Sequence, residues 1–242
     1  MRAAIVTGAS RGLGDALVTD LLAHDWHVVG VARTAPSRPA HAAYRFIRCD
    51  LAQADTIVAT LRPAFDAIAA LDPEAVCLIN NAATIDGVGV LGTLLPADIA
   101  TSIAVNLVAP AVLSNLFCDV FDDDAIERRI VNVSSGAAES TLAGESLYCI
   151  AKAGLEMLTR SLAAEHSSGR FRAITVRPGI IDTAMQTFAR TQSKETLPSV
   201  DMFKEFHASG SLVPPDVVAR KIVSRLVAAP VEHGRTYRYA EL

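Results

Sequence analysis

The residues of this chain best suited to proton chemistry are a tyrosine and a lysine that follow a pair of serines. Tyr148 lies four residues before Lys152 and thirteen after Ser135. Residues four apart on a helix share a face, so we expect the lysine ammonium near the phenol, whose ordinary pKa is about 10. A positive neighbour favours phenolate, which predicts a lowered pKa and a tyrosine that exchanges a proton with a substrate oxygen held by Ser135. Alone, the tyrosine–lysine spacing is weak evidence, because it is usually that of an amphipathic helix surface.

The beginning of the chain has the composition of a phosphate-binding turn. A short apolar strand over 3–7 runs into Gly8-Ala9-Ser10-Arg11-Gly12-Leu13-Gly14, and a helical pattern follows. Glycines let the backbone turn tightly and approach a pyrophosphate, whose charge is met by N–H groups at the helix N-terminus. The spacing is Gly-x-x-x-Gly-x-Gly, and a glycine-rich loop after a strand can also be a simple tight turn.

Two arginines lie where a dinucleotide fold meets the adenosine ribose. Arg33 follows the second predicted strand, over 27–31, and Arg11 lies inside the glycine turn. An arginine at this place attracts a 2′-phosphate, whereas a carboxylate accepts bonds from a free 2′-hydroxyl. The pair therefore favours NADP over NAD, unless both are solvated surface residues. Asp50, after a third strand over 44–48, suits either the adenine amine or the N-cap of a helix over 53–70.

Polar and small residues follow the later strands as well. A strand over 76–79 runs into Asn80-Asn81-Ala82-Ala83, and amides at the carboxyl end of a strand suit a ligand crevice. A helix is predicted over 97–121 with Asn106 in its middle. A buried asparagine there bonds the backbone, and it can also bend the helix and hold a water.

The order of elements predicts an α/β fold, a single-domain Rossmann-type doubly wound parallel sheet with helices on both faces over residues 1–242. Further strands are expected over 129–133, 172–176 and 236–239, with helices over 147–165 and 215–228. The segment 184–212 has two short helical patterns and is predicted to be a substrate lid. The candidate pocket walls, which can equally be core, are Ile180, Ile181, Met185 and Phe188.

Composition excludes several classes of function. The net charge is −4 with both signs interspersed, which argues against a nucleic-acid or anionic-membrane partner. No apolar run reaches the roughly 18 residues of a membrane span, and the early first strand leaves no room for a signal peptide. We therefore expect a cytoplasmic protein. The four cysteines have no metal-ligand spacing, so reduced thiols and no metal site are expected.

Together these pieces resemble the short-chain dehydrogenase/reductase family from end to end. The motifs that carry the resemblance are Thr7-Gly8-x-x-x-Gly12-x-Gly14, Asn80-Asn81-Ala82-Ala83, Asn106, Ser135, Tyr148-x-x-x-Lys152 and Pro178-Gly179-x-x-x-Thr183. One departure is Ala83, where the family usually has glycine. The resemblance implies an NADP(H) cofactor, Tyr148 as acid/base, Ser135 orienting the carbonyl, Lys152 on the nicotinamide ribose, and Asn106 holding a water that passes protons to Lys152. It implies these cofactor-binding positions: Gly8, Ser10, Arg11, Gly12, Leu13, Gly14, Arg33, Asp50, Leu51, Asn81, Ala82, Ala83, Tyr148, Lys152, Pro178, Gly179, Ile181 and Thr183.

Within the family, the lid and tail are most similar to sepiapterin reductases and bacterial benzil reductases. Sepiapterin reductases anchor the pterin with an aspartate near the C-terminus, where this chain has Arg238. That cation argues against a pterin and favours a small, largely apolar ketone or α-diketone as the carbonyl substrate. The alternatives are a 3-oxoacyl thioester reductase, a hydroxysteroid dehydrogenase, and, in another class, an NADP(H)-sensing regulatory protein. The resemblance also implies a homodimer or homotetramer.

Overall fold

Seven parallel strands form one sheet in the computed structural model, which describes residues 1–167 and 169–242. The strands are β1 (Arg2–Thr7), β2 (Trp26–Ala32), β3 (Tyr44–Arg48), β4 (Ala75–Asn80), β5 (Glu127–Val133), β6 (Phe171–Arg177) and β7 (Thr236–Arg238). Their order across the sheet is β3-β2-β1-β4-β5-β6-β7. The central strands are nearly continuous runs of apolar residues, as expected of a parallel sheet covered on both faces. The predicted fold class is confirmed, and each predicted strand end lies within two residues of the observed one.

Helices cover both faces of this single-domain sheet. They are α1 (Gly12–Ala23), α2 (Ala54–Ala69), α3 (Pro96–Ile103), α4 (Ala109–Val120), α5 (Ser146–Glu165), α6 (Ala184–Arg190), α7 (Val200–Ala208) and α8 (Pro215–Ile222). One core lies under α1 and α8, with Leu17 and Ile222 fully buried. The other lies under α2 and α4, with Phe65 and Phe117 fully buried. The sheet is thus clamped between two apolar layers, and only its strand ends are free for a site.

The helix predicted over 97–121 is observed from Pro96 to Val120, with a π-helical turn over Ala104–Val108 that separates α3 from α4. Asn106 lies in this turn, and π-turns inside helices occur mostly at functional sites. By length and composition alone this helix is apolar enough to cross a membrane, but core helices of soluble proteins pass the same test. Here Leu113, Leu116 and Phe117 are buried in the core under α2.

The segment 184–212 holds α6 and α7, in agreement with its two helical patterns. The segment has a small core of its own, made of Ala189, Leu197, Val200 and Phe203. It also contacts the loop before α5, where the Ser199 hydroxyl donates to the carbonyl of Ala143 at 3.0 Å. A Cβ on Gly144 would lie 2.8 Å from the carbonyl oxygen of Thr196, so the two backbones meet directly. The insertion therefore covers the chain that leads into Tyr148.

Candidate active site

The carboxyl ends of the central strands bring the predicted site residues to one edge of the sheet. In the parallel register Asn80 of β4 pairs with Asn132 of β5, and Val133 pairs with Val176 of β6. The residues just beyond these ends, Asn81, Ser135 and Pro178, follow neighbouring strands. A crevice at this edge is where open parallel sheets bind their ligands.

Thr7 and Asn81 join the glycine turn to the end of β4. The Thr7 hydroxyl accepts the backbone N–H groups of Asn81 at 2.9 Å and Ala82 at 3.0 Å. The Asn81 amide donates to the Thr7 carbonyl at 2.8 Å. Gly8 has φ +68°, and a Cβ there would lie 2.9 Å from the Cα of Ala82. The turn therefore accepts only glycine at this position, and it leaves a smooth backbone surface.

The first turn of α1 is open to an anion. Its N-cap residue, Arg11, makes no side-chain hydrogen bond to the helix, so the first N–H groups lack a capping side chain. A Cβ on Gly12 would lie 3.4 Å from Cγ2 of Thr183, which places the residues after β6 beside the glycine turn. A helix N-terminus with uncapped N–H groups, next to a glycine backbone that a ligand can approach closely, fits the pyrophosphate of a dinucleotide. Leu13 is buried and Ser10 partly exposed, so Leu13 contributes backbone only.

Arg11 and Arg33 are both exposed, and neither forms an ion pair with any residue that the structure describes. The N–H of Gly8 donates to the carbonyl of Val31 at 2.8 Å, which ties the end of β2 to the glycine turn. Arg38, which the sequence did not single out, differs from both. Its guanidinium bonds the Asp15 carboxylate and lies 4.9 Å from the Tyr44 ring. Arg38 is held by the protein, whereas Arg11 and Arg33 are free for a ligand.

One of the two roles predicted for Asp50, that of helix N-cap, is wrong. The helix after them begins at Ala54 with Gln53 as its N-cap, so Asp50 is not the N-cap residue. The Asp50 carboxylate instead accepts the N–H of Ala52 at 3.1 Å, which closes the turn before the helix. Leu51 is buried in the core, so only its backbone can face a cofactor.

Tyr148 and Lys152 lie on one face near the start of α5, as their spacing predicts. Lys152 is 2% exposed, and its ammonium donates to the carbonyl of Val133 at 2.8 Å. That nitrogen lies 5.4 Å from the centre of the Tyr148 ring. The Ser135 hydroxyl accepts the N–H of Ala137 at 3.2 Å and stands beside the phenol. The structure thus brings Ser135, Tyr148 and Lys152 together.

The expected lowering of the Tyr148 pKa is not observed in the protein alone. Burial raises the pKa of the phenol above its ordinary value, the Glu145 carboxylate acts in the same direction, and hydrogen bonding with Ser135 opposes both. Burial also lowers the pKa of Lys152 to about 8. Burial, the largest of these effects, explains the difference, and the Lys152 ammonium itself is bonded to the carbonyl of Val133. The protein therefore holds Tyr148 as a neutral phenol.

Asn106 is fully buried and clamps the chain that leaves β4. Its amide accepts the N–H of Thr84 at 2.9 Å and donates to the carbonyl of Thr84 at 2.8 Å. A longer contact of 3.4 Å reaches the hydroxyl of Ser102. The Asn106 side chain thus bonds mainly to the backbone of Thr84. The water that the family resemblance implies stays a prediction.

Sequence reasoning missed two carboxylates of the same helix region. Glu156 lies four residues after Lys152 and accepts bonds from Ser134 and Arg177. Glu145 lies three residues before Tyr148 and is 5% exposed. The spacing alone placed both near the catalytic face, because residues three or four apart on a helix are neighbours. The partners of Glu156 come from distant parts of the chain.

Arg238 lies on a different cavity from Tyr148. That cavity, of about 490 Å³, is lined by charged residues of α5, β6 and β7, including Arg160, Arg177 and Glu156. The Arg238 guanidinium bonds Glu139 at 3.1 Å. Ser135, Tyr148 and Lys152 are absent from the lining. The charge of Arg238 therefore gives no reason to exclude a pterin as the substrate bound at Tyr148.

The four candidate pocket walls are not core residues. Ile180, Ile181 and Met185 are partly exposed, and Phe188 is 46% exposed. Ile181 also packs against the core under α1 and α8. These side chains remain accessible, with Ile180 and Ile181 just before the segment 184–212 and Met185 and Phe188 at its beginning.

Known proteins share both the sequence and the fold. Residues 2–194 match the short chain dehydrogenase family. The chain is 32% identical over 241 residues to a benzil reductase ((S)-benzoin forming) of Bacillus subtilis, covering 98% of both chains. It is 33% identical to a sepiapterin reductase of Meriones unguiculatus, covering 95% of this chain and 93% of that one. The crystal structure of the KRED1-Pglu enzyme superposes with a TM-score of 0.85 at 27% identity, covering 98% of this chain and all of that chain.

Proposed function

Because the chain belongs to the short-chain dehydrogenase/reductase family, we propose that it is an NADPH-dependent carbonyl reductase acting on a small, largely apolar ketone or α-diketone. The observation that carries this proposal is the grouping of Ser135, Tyr148 and Lys152 at the sheet edge beside the open glycine turn. A proton donor, a second hydroxyl and a buried cation in one crevice suit the reduction of a carbonyl group.

The residues divide the work as follows. A bound nicotinamide supplies the hydride that reaches the carbonyl carbon. Tyr148, held as a neutral phenol by burial, donates its proton to the carbonyl oxygen, while the Ser135 hydroxyl donates a hydrogen bond to that oxygen. The phenolate left behind is stabilised by the Lys152 ammonium on the same helix face. The carbon gains hydride and the oxygen gains a proton, so the product is an alcohol.

The preference for NADPH rests on Arg11 and Arg33, the two free guanidinium groups beside the glycine turn. A charge-assisted bond to a phosphate contributes about 1.5–3 kcal/mol, or roughly 10- to 100-fold in affinity. Arg33→Ala is therefore expected to raise the KM for NADPH by roughly that factor and to leave the KM for NADH nearly constant. Equal effects on the two cofactors would remove the argument for a 2′-phosphate contact.

The choice of substrate is supported by the relatives and by the accessible apolar side chains. Two relatives are named benzil reductase and sepiapterin reductase, and both names describe the reduction of a carbonyl compound. Met185 and Phe188, within the segment that contacts the loop before Tyr148, and Ile180, just before it, offer apolar surface. We propose that this segment, 184–212, is a lid that closes over the substrate.

We also propose a homodimer, formed through α4 and α5. Ile150 is 54% exposed and Met157 is 52% exposed, on one face of α5, and Val108 is exposed at the start of α4. An exposed apolar stripe of this kind marks an interaction surface. Ile150→Glu is expected to shift the protein to the monomer in size-exclusion chromatography. An unchanged elution volume would argue against this interface.

The deciding experiment follows NADPH absorbance with benzil, 1-phenyl-1,2-propanedione, sepiapterin, a 3-oxoacyl thioester and a keto-steroid. We expect rapid oxidation with the diketones and a loss of roughly 10²- to 10⁴-fold in kcat for Tyr148→Phe. Tyr237→Phe is the matched control, because the Tyr237 phenol accepts the N–H of Glu232 at the surface. Near wild-type turnover by Tyr148→Phe would defeat the mechanism, and no turnover with any compound would favour a cofactor-binding regulator.

A further inference from the structure

Glu145 is a buried carboxyl group without a structural partner. It occupies the N-cap position of α5, yet its side chain makes no hydrogen bond to the helix. The residue is 5% exposed, and its carboxyl group forms no hydrogen bond or ion pair with the side chains and backbone that the structure describes. Native proteins pair nearly all buried polar groups, so an unpaired one beside a catalytic residue points to a ligand.

A small cavity lies between Glu145 and the loop over 85–88, and it extends to Tyr148. Its volume is about 10 Å³, room for one oxygen atom of a water or a ligand. The lining consists of Ile85, Asp86, Gly87, Val88, Ser102, Glu145, Leu147 and Tyr148. The polar groups able to meet that oxygen are therefore Tyr148, Glu145 and the Ser102 hydroxyl.

No cation neutralises Glu145 within this cavity. The charged group that shares the lining is Asp86, which is exposed and of the same sign, and the titratable neighbours on α5 are Tyr148 and Cys149. Burial raises the pKa of Glu145 to about 7. Below that pH the group is a neutral acid, and its O–H is a hydrogen-bond donor.

We propose that Glu145 is a specificity-determining residue, whose protonated carboxyl donates a hydrogen bond to the second oxygen of a 1,2-dicarbonyl substrate while Tyr148 binds the carbonyl that is reduced. This inference rests on the proposed carbonyl reductase function. Glu145 and Tyr148 line the same small cavity, so their polar groups are able to meet neighbouring atoms of one ligand. Glu145 keeps its proton throughout the reaction, and the hydride and proton are transferred as described above.

The test compares two ketones that differ by one oxygen, 1-phenyl-1,2-propanedione and 1-phenyl-1-propanone. The diketone is intrinsically more reactive, so the measured quantity is the change in the ratio of the two kcat/KM values between variants. Because changes in Lys152 or in cofactor binding affect both ketones, they cancel in this ratio. We compare the wild type with Glu145→Gln, Glu145→Leu and the control Asp86→Asn, with NADPH, at pH 6 and pH 8.5.

Glu145→Leu is expected to lower the diketone-to-ketone ratio at pH 6 by about tenfold, the effect of one lost hydrogen bond to a buried acceptor. Glu145→Gln keeps a donor and is expected to hold the ratio near the wild-type value at both pH values. The wild-type ratio falls from pH 6 to pH 8.5 as the carboxyl ionises. Asp86→Asn is expected to change the ratio by less than about twofold, because Asp86 is exposed.

A wild-type ratio retained by Glu145→Leu at pH 6 would overturn the inference and leave the proposed function intact. If the wild type reduces neither ketone, the proposed function itself is wrong and the inference falls with it. Thermal unfolding of each variant accompanies the kinetics. If Glu145→Leu fails to fold, the wild type and Glu145→Gln are compared instead. A wild-type ratio that falls with pH, while that of Glu145→Gln stays constant, would support the inference. A purely structural carboxyl group would not alter the ratio with pH, so a constant wild-type ratio would overturn it.

Discussion

Two carboxylates of one helix region have opposite surroundings. Glu156, in the middle of α5, accepts the Ser134 hydroxyl at 2.8 Å and two nitrogens of Arg177 at 2.7 and 2.6 Å. Glu145, at the start of α5, is 5% exposed, and its carboxyl group bonds none of the groups that the structure describes. The first arrangement supports the fold behind the site. The second costs stability, and the oxygen of a ligand or of a water in the adjoining cavity is able to supply the missing partner.

The same contrast separates the two sides of the crevice. On the sheet side, Ser134 joins Glu156 to the strand end that carries Ser135, and Arg177 joins it to the loop of Pro178 and Gly179. Ser134, Arg177 and Glu156 are thus paired with one another before any ligand binds. On the lid side, the cavity beside Tyr148 has no lysine or arginine in its lining. Its walls come from the loop over 85–88, from Ser102 of α3 and from the start of α5. Rigid positioning belongs to the first region and selection of the substrate to the second.

The largest expected effect is that of Glu156→Ala. The substitution leaves the Arg177 guanidinium buried with Glu139 as its remaining acidic partner. Removing one member of a buried ion pair costs about 3–5 kcal/mol, and the retained Glu139 favours the lower end of that range. Urea denaturation measures the loss, and Glu156→Gln, which keeps an acceptor, is the matched control. A loss below about 1 kcal/mol would mean that the network does not support the fold.

Glu145→Gln tests the other side of the comparison through the pH dependence of stability. The fold raises the pKa of Glu145 from 4.5 to about 7, so between these values the folded state binds more protons than the unfolded state. The free energy of unfolding therefore falls as pH rises through this window, by an amount on the order of 3 kcal/mol. The variant lacks this titration. Its stability relative to the wild type is expected to rise from pH 5 to pH 7.5, and a constant difference would mean that Glu145 is solvated.

The sequence predicted the parts of this site that depend on local pattern. Gly8 and Gly12 mark the turn, and the four-residue spacing of Tyr148 and Lys152 places them on one helix face. Neither the partner of Lys152 nor the isolation of Glu145 was predictable. The first is the carbonyl of Val133, nineteen residues away, and the second depends on a loop near residue 86. Burial, followed by the nearby Glu145 carboxylate, raises the pKa of Tyr148, so the spacing of Tyr148 and Lys152 alone gave the wrong direction.

Gly144→Ala probes how closely the lid meets the chain before Glu145. Gly144 has φ +89°, and an added Cβ would lie 2.8 Å from the carbonyl of Thr196 and 2.9 Å from the Cα of Leu197. We expect a loss of about 2 kcal/mol and a lower kcat/KM, because the lid must move away. Gly210→Ala is the control, since Gly210 has φ +67° and no atom within 4 Å of the added Cβ. It is expected to lose only about 1 kcal/mol. Equal losses would mean that the lid contact is loose.

The smallest expected effect is that of Arg238→Ala, at the outer end of the Glu156 and Arg177 network. Arg238 and Glu139 are both exposed, with side-chain exposures of 63% and 54%, so solvent screens their ion pair. We expect a Tm within about 1 °C of the wild-type value. We also expect the same ratio of diketone to sepiapterin turnover, because the cavity that Arg238 lines does not include Tyr148. A rise in sepiapterin turnover would instead place this guanidinium at the substrate, and the division between a supporting sheet side and a selecting lid side would have to include the C-terminal strand.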